Sequence, residues 1–192
     1  AGAQLIFQMH YTASGKAATD RTQVGLVFAK QPPRERAVAM RAVNTWFVIP
    51  PGAPSHKVEA AANISEPLKL AAIRPHMHLR GKSYEYTAIF PDGREEKLLS
   101  VPKYDFNWQL TYELAEERVL PKGTRIHATA YFDNSPNNPF NPDPKAEVRF
   151  GDQTWDEMMV GFFSVAVPPN FSLRNPIQQP PPKPPATGAG GR

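Results

Sequence analysis

Short runs of β-branched and aromatic residues, cut at near-regular intervals by proline, glycine and asparagine, recur along most of this chain and leave little room for anything but sheet. The runs fall at residues 4–11, 24–28, 45–49, 68–73, 84–90, 125–132 and 158–165. Each has the length and composition of a strand. Pro50-Pro51-Gly52, Pro91-Asp92-Gly93, Pro121-Lys122-Gly123 and the Asn/Pro-rich 134–139 stretch separate them. Proline fixes φ, and glycine or asparagine tolerates the positive φ that tight turns need, so these are turns with a mechanism. Residues 90–94, between two strand-like runs, read as a hairpin. Only residues 102–114 and 152–157 carry no clear period. Many short strands joined by such turns predict an all-β fold, an antiparallel jelly-roll β-sandwich.

Length and composition set the domain count. A chain of 192 residues with a 41% hydrophobic fraction can build one domain with a real core. The expected layout is a sandwich over 1–167 and a proline-rich tail over 168–192. From residue 176 onward Pro, Gln, Gly and Ala dominate and almost no large apolar side chain is available for burial, so an extended or disordered tail is expected there. Residues 180–185 favour polyproline II, a shape that docks on aromatic grooves, although a simple linker explains the same composition.

Charge and cysteine content remove several function classes. The net charge is +4, but Lys and Arg alternate with Asp and Glu, as in Arg34-Glu35-Arg36 and Arg94-Glu95-Glu96-Lys97. That is not the basic stripe of a nucleic-acid binder. The chain has no cysteine, which excludes disulfides, thiolate metal sites and a cysteine nucleophile. No apolar run is long enough to span a bilayer. Gly81-Lys82-Ser83 echoes the end of a phosphate-binding loop, but His76 stands where that loop needs glycine.

The residues that point to chemistry are His76 and His78, together with a methionine in the 156–159 stretch. On a strand, residues two apart share a face, so both imidazoles can converge on one ion while Met77 points away. A third donor must come from elsewhere in the fold. A thioether suits Cu(I) far better than Zn(II), Mg(II) or Ca(II), which makes copper the metal to test first. Alone, a His-X-His pair is equally a pair of hydrogen-bonding strand residues. Core packing is the simplest role for Met158 and Met159, and core or rim anchoring for Trp46, Trp108 and Trp155.

Gln8-Met9-His10-Tyr11, residues 47–52 (FVIPPG), residues 74–81 (RPHMHLRG) and Asp156-Glu157-Met158 occur in the order, and at about the spacing, of the copper type II, ascorbate-dependent monooxygenases. From about Leu5 to Val167 the chain resembles the C-terminal domain of that family, which includes the peptidylglycine α-hydroxylating and dopamine β-monooxygenases, and it is most similar to the family's bacterial branch. The resemblance implies that His76, His78 and Met158 hold the copper at which oxygen is activated and a C–H bond hydroxylated. It also implies that His10 is one of three histidine ligands of a second, electron-relaying copper, and that Arg74 binds a substrate carboxylate. Ascorbate or another external reductant, and a periplasmic or extracellular location, peripheral to a membrane complex, are implied in the same way.

The departures from the family matter as much as the matches. The relay copper's other ligands are an adjacent His-His pair in an upstream domain, and this sequence contains no His-His pair. Val160 and Phe162 stand where the peptide-oxidising members have asparagine and tyrosine. Two readings follow. In the first, this is the copper-binding domain of a monooxygenase, inactive without an upstream copper domain. In the second, it is a non-catalytic jelly-roll accessory subunit that docks on a larger periplasmic or membrane-bound redox assembly.

Overall fold

The computed structural model describes residues 4–11, 13–172 and 176–180. Contacts divide the chain into two units, Ala1–Pro32 and Pro33–Arg192. The described residues of the first unit contain no strand, and Leu5, Ile6, Phe7, Met9, Tyr11, Val24, Leu26, Val27 and Phe28 are all exposed. The strands expected at 4–11 and 24–28 therefore do not form. A strand needs a neighbour to take up its backbone N–H and C=O groups, and favourable side chains cannot substitute for that pairing.

The second unit holds the sandwich. Its strands are β1 (Arg36–Asn44), β2 (Val48–Ile49), β3 (His56–Ile64), β4 (Leu68–His76), β5 (Gly81–Ile89), β6 (Glu95–Val101), β7 (Tyr112–Leu120), β8 (Arg125–Phe132), β9 (Val148–Arg149), β10 (Met159–Val167) and β11 (Ile177–Gln178). One sheet has the order β1-β10-β4-β7 and the facing sheet the order β11-β3-β8-β5-β6, with β2 and β9 forming a small ribbon. All pairings between strands are antiparallel. Counting only the eight long strands, the sheets read 1-8-3-6 and 2-7-4-5, the interleaved order of a jelly roll. The sandwich begins at Arg36, so residues 4–32 lie outside it. The 181–192 part of the tail lies outside the described residues.

Alternation places the core between the sheets. Along β5, Tyr84, Tyr86 and Ala88 are fully buried while Ser83, Glu85 and Thr87 are only partly covered. Along β8, Ile126, Ala128, Ala130 and Phe132 face inward in the same way. Phe132 stacks on Phe47 with ring centroids 5.6 Å apart. Removing such a ring costs about 3–5 kcal/mol through lost transfer energy and the cavity left behind. The β5–β6 hairpin forms where the turn chemistry places it. Phe90 N donates to Arg94 O at 2.8 Å, and Gly93 takes φ 84°, a conformation that disfavours any side chain.

Candidate metal centre

The candidate site lies on the outer face of the first sheet, at the end of β4. Arg74 and His76 point outward, as the inward burial of Ile73, Pro75 and Met77 requires. Register aligns two rows across the sheet: Val43, Val160 and His76 in one, and Arg41, Phe162 and Arg74 in the next. The Arg74 guanidinium lies over the Phe162 ring, 5.0 Å from its centroid. Phe162 also borders His76, with ring centroids 6.1 Å apart.

The chain leaves the ladder just after His76, and a set of buried polar groups fixes its path. Tyr104 Oη donates to Met77 O at 2.7 Å and accepts from Met77 N at 3.0 Å, holding the residue between the two histidines. Glu157 is fully buried. Its Oε2 accepts from His78 N at 2.8 Å and from Met158 N at 3.3 Å, and its Oε1 accepts from Arg80 N at 2.6 Å. One carboxylate oxygen thus ties the backbones of the second histidine and the methionine together. Burial pushes the Glu157 carboxyl up to about 7, against the pull of these N–H donors and of Arg80. Arg80, 1% exposed, donates from Nε to Asn134 Oδ1 and from Nη1 to Trp155 O, both at 2.8 Å. Gly81 follows because nothing larger fits: a Cβ there would sit 2.6 Å from the Tyr104 ring and 2.9 Å from Met77 Cβ.

The two imidazoles come together. Their ring centroids are 5.3 Å apart with the planes at 84°. Each ring has its Nδ1 engaged by an acceptor. His76 Nδ1 lies 2.6 Å from Gln109 Oε1, and Gln109 Nε2 donates to Phe106 O at 2.9 Å, which turns the amide oxygen toward the histidine. His78 Nδ1 lies 3.3 Å from the Asp156 carbonyl, which can only accept. His76 Nδ1 thus faces an amide oxygen, while the His78 ring bonds backbone at Gln153 as well as at Asp156. Burial holds both pKa values below the ordinary histidine value, favouring the neutral ring. Phe106 closes the other side of His78, with ring centroids 6.0 Å apart.

His76 and His78 are the residues here that could hold a metal ion. Nδ1–H bonded to a carbonyl or amide oxygen is the arrangement that orients a metal-binding histidine and raises the basicity of its other nitrogen. Two imidazoles binding one ion at about 2.0 Å through Nε2, at a roughly tetrahedral angle of about 110°, have centroids a little over 5 Å apart. The observed 5.3 Å is compatible with that separation and equally with an ordinary edge-to-face ring contact. Met158, the half-buried residue just before β10, is the third candidate donor. Among the described residues no group of three or more His, Cys, Asp or Glu side chains gathers as a metal site. His10 is exposed in the 1–32 unit.

Gln109, Tyr104 and Glu157 are the residues that sequence reasoning missed as organisers of the site. Gln109 stands in a run without period and carries no signal. Glu157 carries one, a carboxylate two residues before the fully buried start of β10. Of the core or rim role expected of the three tryptophans, the core half fails: Trp46, Trp108 and Trp155 are 64%, 66% and 61% exposed.

No protein-family model matches the chain, and no curated protein matches it. Among solved structures it is similar to infectious bursal disease virus proteins. These are a Gx strain structure (15% identity, TM-score 0.33, 71% of this chain and 33% of that one), a Gt strain structure (11%, 0.34, 76% and 34%) and a VP2 subviral particle (14%, 0.33, 70% and 33%). The chain spans about a third of the length of each.

Proposed function

We propose that the sandwich is the copper-binding domain of a monooxygenase-like protein, holding one copper through Nε2 of His76, Nε2 of His78 and the Met158 thioether. The observation that carries this reading is the pair of adjacent imidazoles, each with Nδ1 at an oxygen acceptor. Bound there, copper supplies dioxygen activation and C–H hydroxylation. The chain's own residues orient the ligands: Gln109 and the Asp156 carbonyl set the ring tautomers, while Glu157 and Tyr104 fix the backbone that carries them. The soft thioether favours Cu(I), the state that meets oxygen. Arg74, outward on the same strand face two residues before His76, is the candidate anchor for a substrate carboxylate. His10 would serve an electron-relay copper whose remaining ligands come from an upstream copper domain, with ascorbate or another reductant feeding it. This chemistry suits a periplasmic or extracellular setting.

An anaerobic Cu(I) titration with X-ray absorption tests the reading. About one equivalent should bind, with two nitrogen scatterers near 2.0 Å and a longer sulfur contact that Met158→Leu removes. Absence of Cu(I) binding, or a sulfur contact that survives Met158→Leu, sinks the assignment. The accessory-subunit reading predicts the opposite pattern in a second assay. Joined to an upstream copper domain, an enzyme domain gains ascorbate-driven hydroxylation, whereas an accessory subunit gains none and copurifies with a larger complex.

A further inference from the structure

Phe162 joins three features of the first sheet's outer face. Its ring borders His76, with centroids 6.1 Å apart, and carries the Arg74 guanidinium 5.0 Å from its centroid. It also lines a pocket of about 390 Å³ that opens between β1 and the C-terminal segment. Val38, Ala39 and Met40 of β1 form one wall of this pocket and Pro176 and Ile177 the other, with Arg41 and Gln179 completing the lining. Gln179 Nε2 donates to Arg41 O at 3.3 Å, which ties the two walls together. Arg41 is the register partner of Phe162, and Phe162 that of Arg74, so both arginine side chains leave the sheet on the same face.

Both arginines are exposed, and among the described residues neither forms an ion pair. The neighbouring charges are otherwise engaged or of opposite sign. Lys69 is tied to Glu35 and Glu117, and Arg36 donates to Phe171 O at 2.6 Å. Glu113 stands one row along, opposite Ala72. The row through Phe162 therefore presents two guanidiniums, one strand to each side of the ring. Their Cα atoms are about 10 Å apart across two strand spacings, within the combined reach of two arginine side chains.

The lining identifies the occupant. Two cations on one row make no track along which a polyanion could run, which disfavours nucleic acid. At about 390 Å³ the pocket lies at the small end of the range for ligand sites, so it takes a small molecule. Apart from Arg41 and Gln179 its walls are apolar, which calls for a hydrocarbon body. The planar fork of a guanidinium matches a carboxylate with two parallel hydrogen bonds, which calls for an acidic head. A molecule with both parts is an amphiphilic carboxylic acid.

We propose that the Arg41–Phe162–Arg74 row and the adjoining pocket bind a small amphiphilic carboxylic acid, its head held by both arginines beside Phe162 and its body lying between β1 and Pro176–Ile177. Arg41 thereby joins Arg74 as an anchor, and the pocket selects acids with an apolar chain. That the acid is a substrate, and not merely a ligand, rests on the copper reading; its binding does not. The test is calorimetry of the metal-free chain with butanoate, hexanoate and octanoate, and with octanol as the uncharged counterpart. Octanoate should bind saturably, with affinity rising about fourfold per methylene along the series, and octanol should bind at least about tenfold more weakly. Arg41→Met should weaken octanoate about tenfold. Ala39→Phe, at an exposed position on the pocket wall, fills the space and should weaken it as much. Arg125→Met, which removes an exposed cation from the other sheet, should leave it unchanged. No saturable response to octanoate overturns the proposal, as does octanol binding equally well or an equal loss in Arg41→Met and Arg125→Met. Unaltered binding by Ala39→Phe puts the acid elsewhere and overturns it too. Octanoate binding by a chain that takes up no Cu(I) keeps the site and removes the substrate role. Cu(I) uptake without octanoate binding removes the site and leaves the copper reading standing.

Discussion

Tyr104→Phe tests whether the site's backbone is held by side-chain hydrogen bonds or simply by packing. Tyr104 Oη makes two bonds to one residue, donating to Met77 O at 2.7 Å and accepting from Met77 N at 3.0 Å. Tyr104 is 8% exposed and Met77 fully buried, so phenylalanine keeps the ring and leaves a buried N–H and C=O without this partner. A buried polar group left unmatched costs about 1–3 kcal/mol, and removing the buried hydroxyl itself returns part of that, giving a net loss of about 2–4 kcal/mol. In a domain of this size that is a fall in melting temperature of about 4–16 °C. Urea unfolding with an unchanged m-value is the assay. Tyr84→Phe is the control. Its buried hydroxyl reaches the Met159 sulfur at 3.6 Å, a weak acceptor, and the Tyr86 hydroxyl, which keeps Phe162 O as an acceptor at 3.1 Å, so the loss should be smaller than for Tyr104→Phe. A Tyr104→Phe variant within about 0.5 kcal/mol of the parent, or one that loses less than Tyr84→Phe, would refute the reasoning.

Glu157→Gln, which replaces one of two fully used oxygens by a donor, should weaken Cu(I) affinity about 10- to 100-fold while two nitrogen ligands persist in the absorption spectrum. Unchanged affinity would mean that the carboxylate does not position Met158. Gly81→Ala should cost about 1–3 kcal/mol, because the new methyl meets the Tyr104 ring at 2.6 Å; a neutral result in urea would show that the ring can move aside. Lys97 lowers the Glu85 pKa through a 3.0 Å side-chain hydrogen bond, so this pair's contribution is present above the unfolded carboxyl value of 4.5 and is lost as pH falls below it. Both partners are substantially exposed, so Lys97→Met should cost under about 1 kcal/mol at pH 7 and less at pH 3, read from urea midpoints at the two values.

Sequence pattern located the strands whose side chains both alternate and resist helix. β5, β8 and β10 match the expected runs closely because Tyr, Thr, Ile, Phe and Val dominate them. β1, β3, β6 and β7 went unread. The β3 sequence HKVEAAANI and the β7 sequence YELAEERVL are rich in Ala, Leu, Glu and Arg, residues with high helix propensity. Tertiary pairing overrides that preference: β3 is zipped along β8, and β7 takes the outer edge of its sheet, where exposed charges discourage further pairing. The opposite error occurs at 4–11 and 24–28, where strand-like side chains stand in a unit with no strand among its described residues. Composition reports what a segment can bury. It cannot report whether a neighbouring edge is there to pair with.

The same limit governs the candidate site. Spacing alone put His76 and His78 on one face, since that needs only the two-residue period of a strand. Spacing could not say what the rings do there, because a His-X-His pair that hydrogen-bonds through all four nitrogens has the same sequence as one that leaves a nitrogen on each ring bare. The distinction lies in partners 33 and 78 positions away, a glutamine amide and a backbone carbonyl. The carbonyl belongs to the peptide chain and would be present with any side chain at position 156. The glutamine is selected only by the orientation that Phe106 O imposes on its amide. Gln109→Glu makes that dependence measurable. A carboxylate would still accept from His76 Nδ1–H, and more strongly, so copper affinity should hold or rise, whereas Gln109→Leu removes the acceptor and should lower it about 10-fold or more. Equal Cu(I) affinities for the two variants would show that His76 is oriented by its packing against Phe162 and His78, and that its bond to Gln109 is incidental.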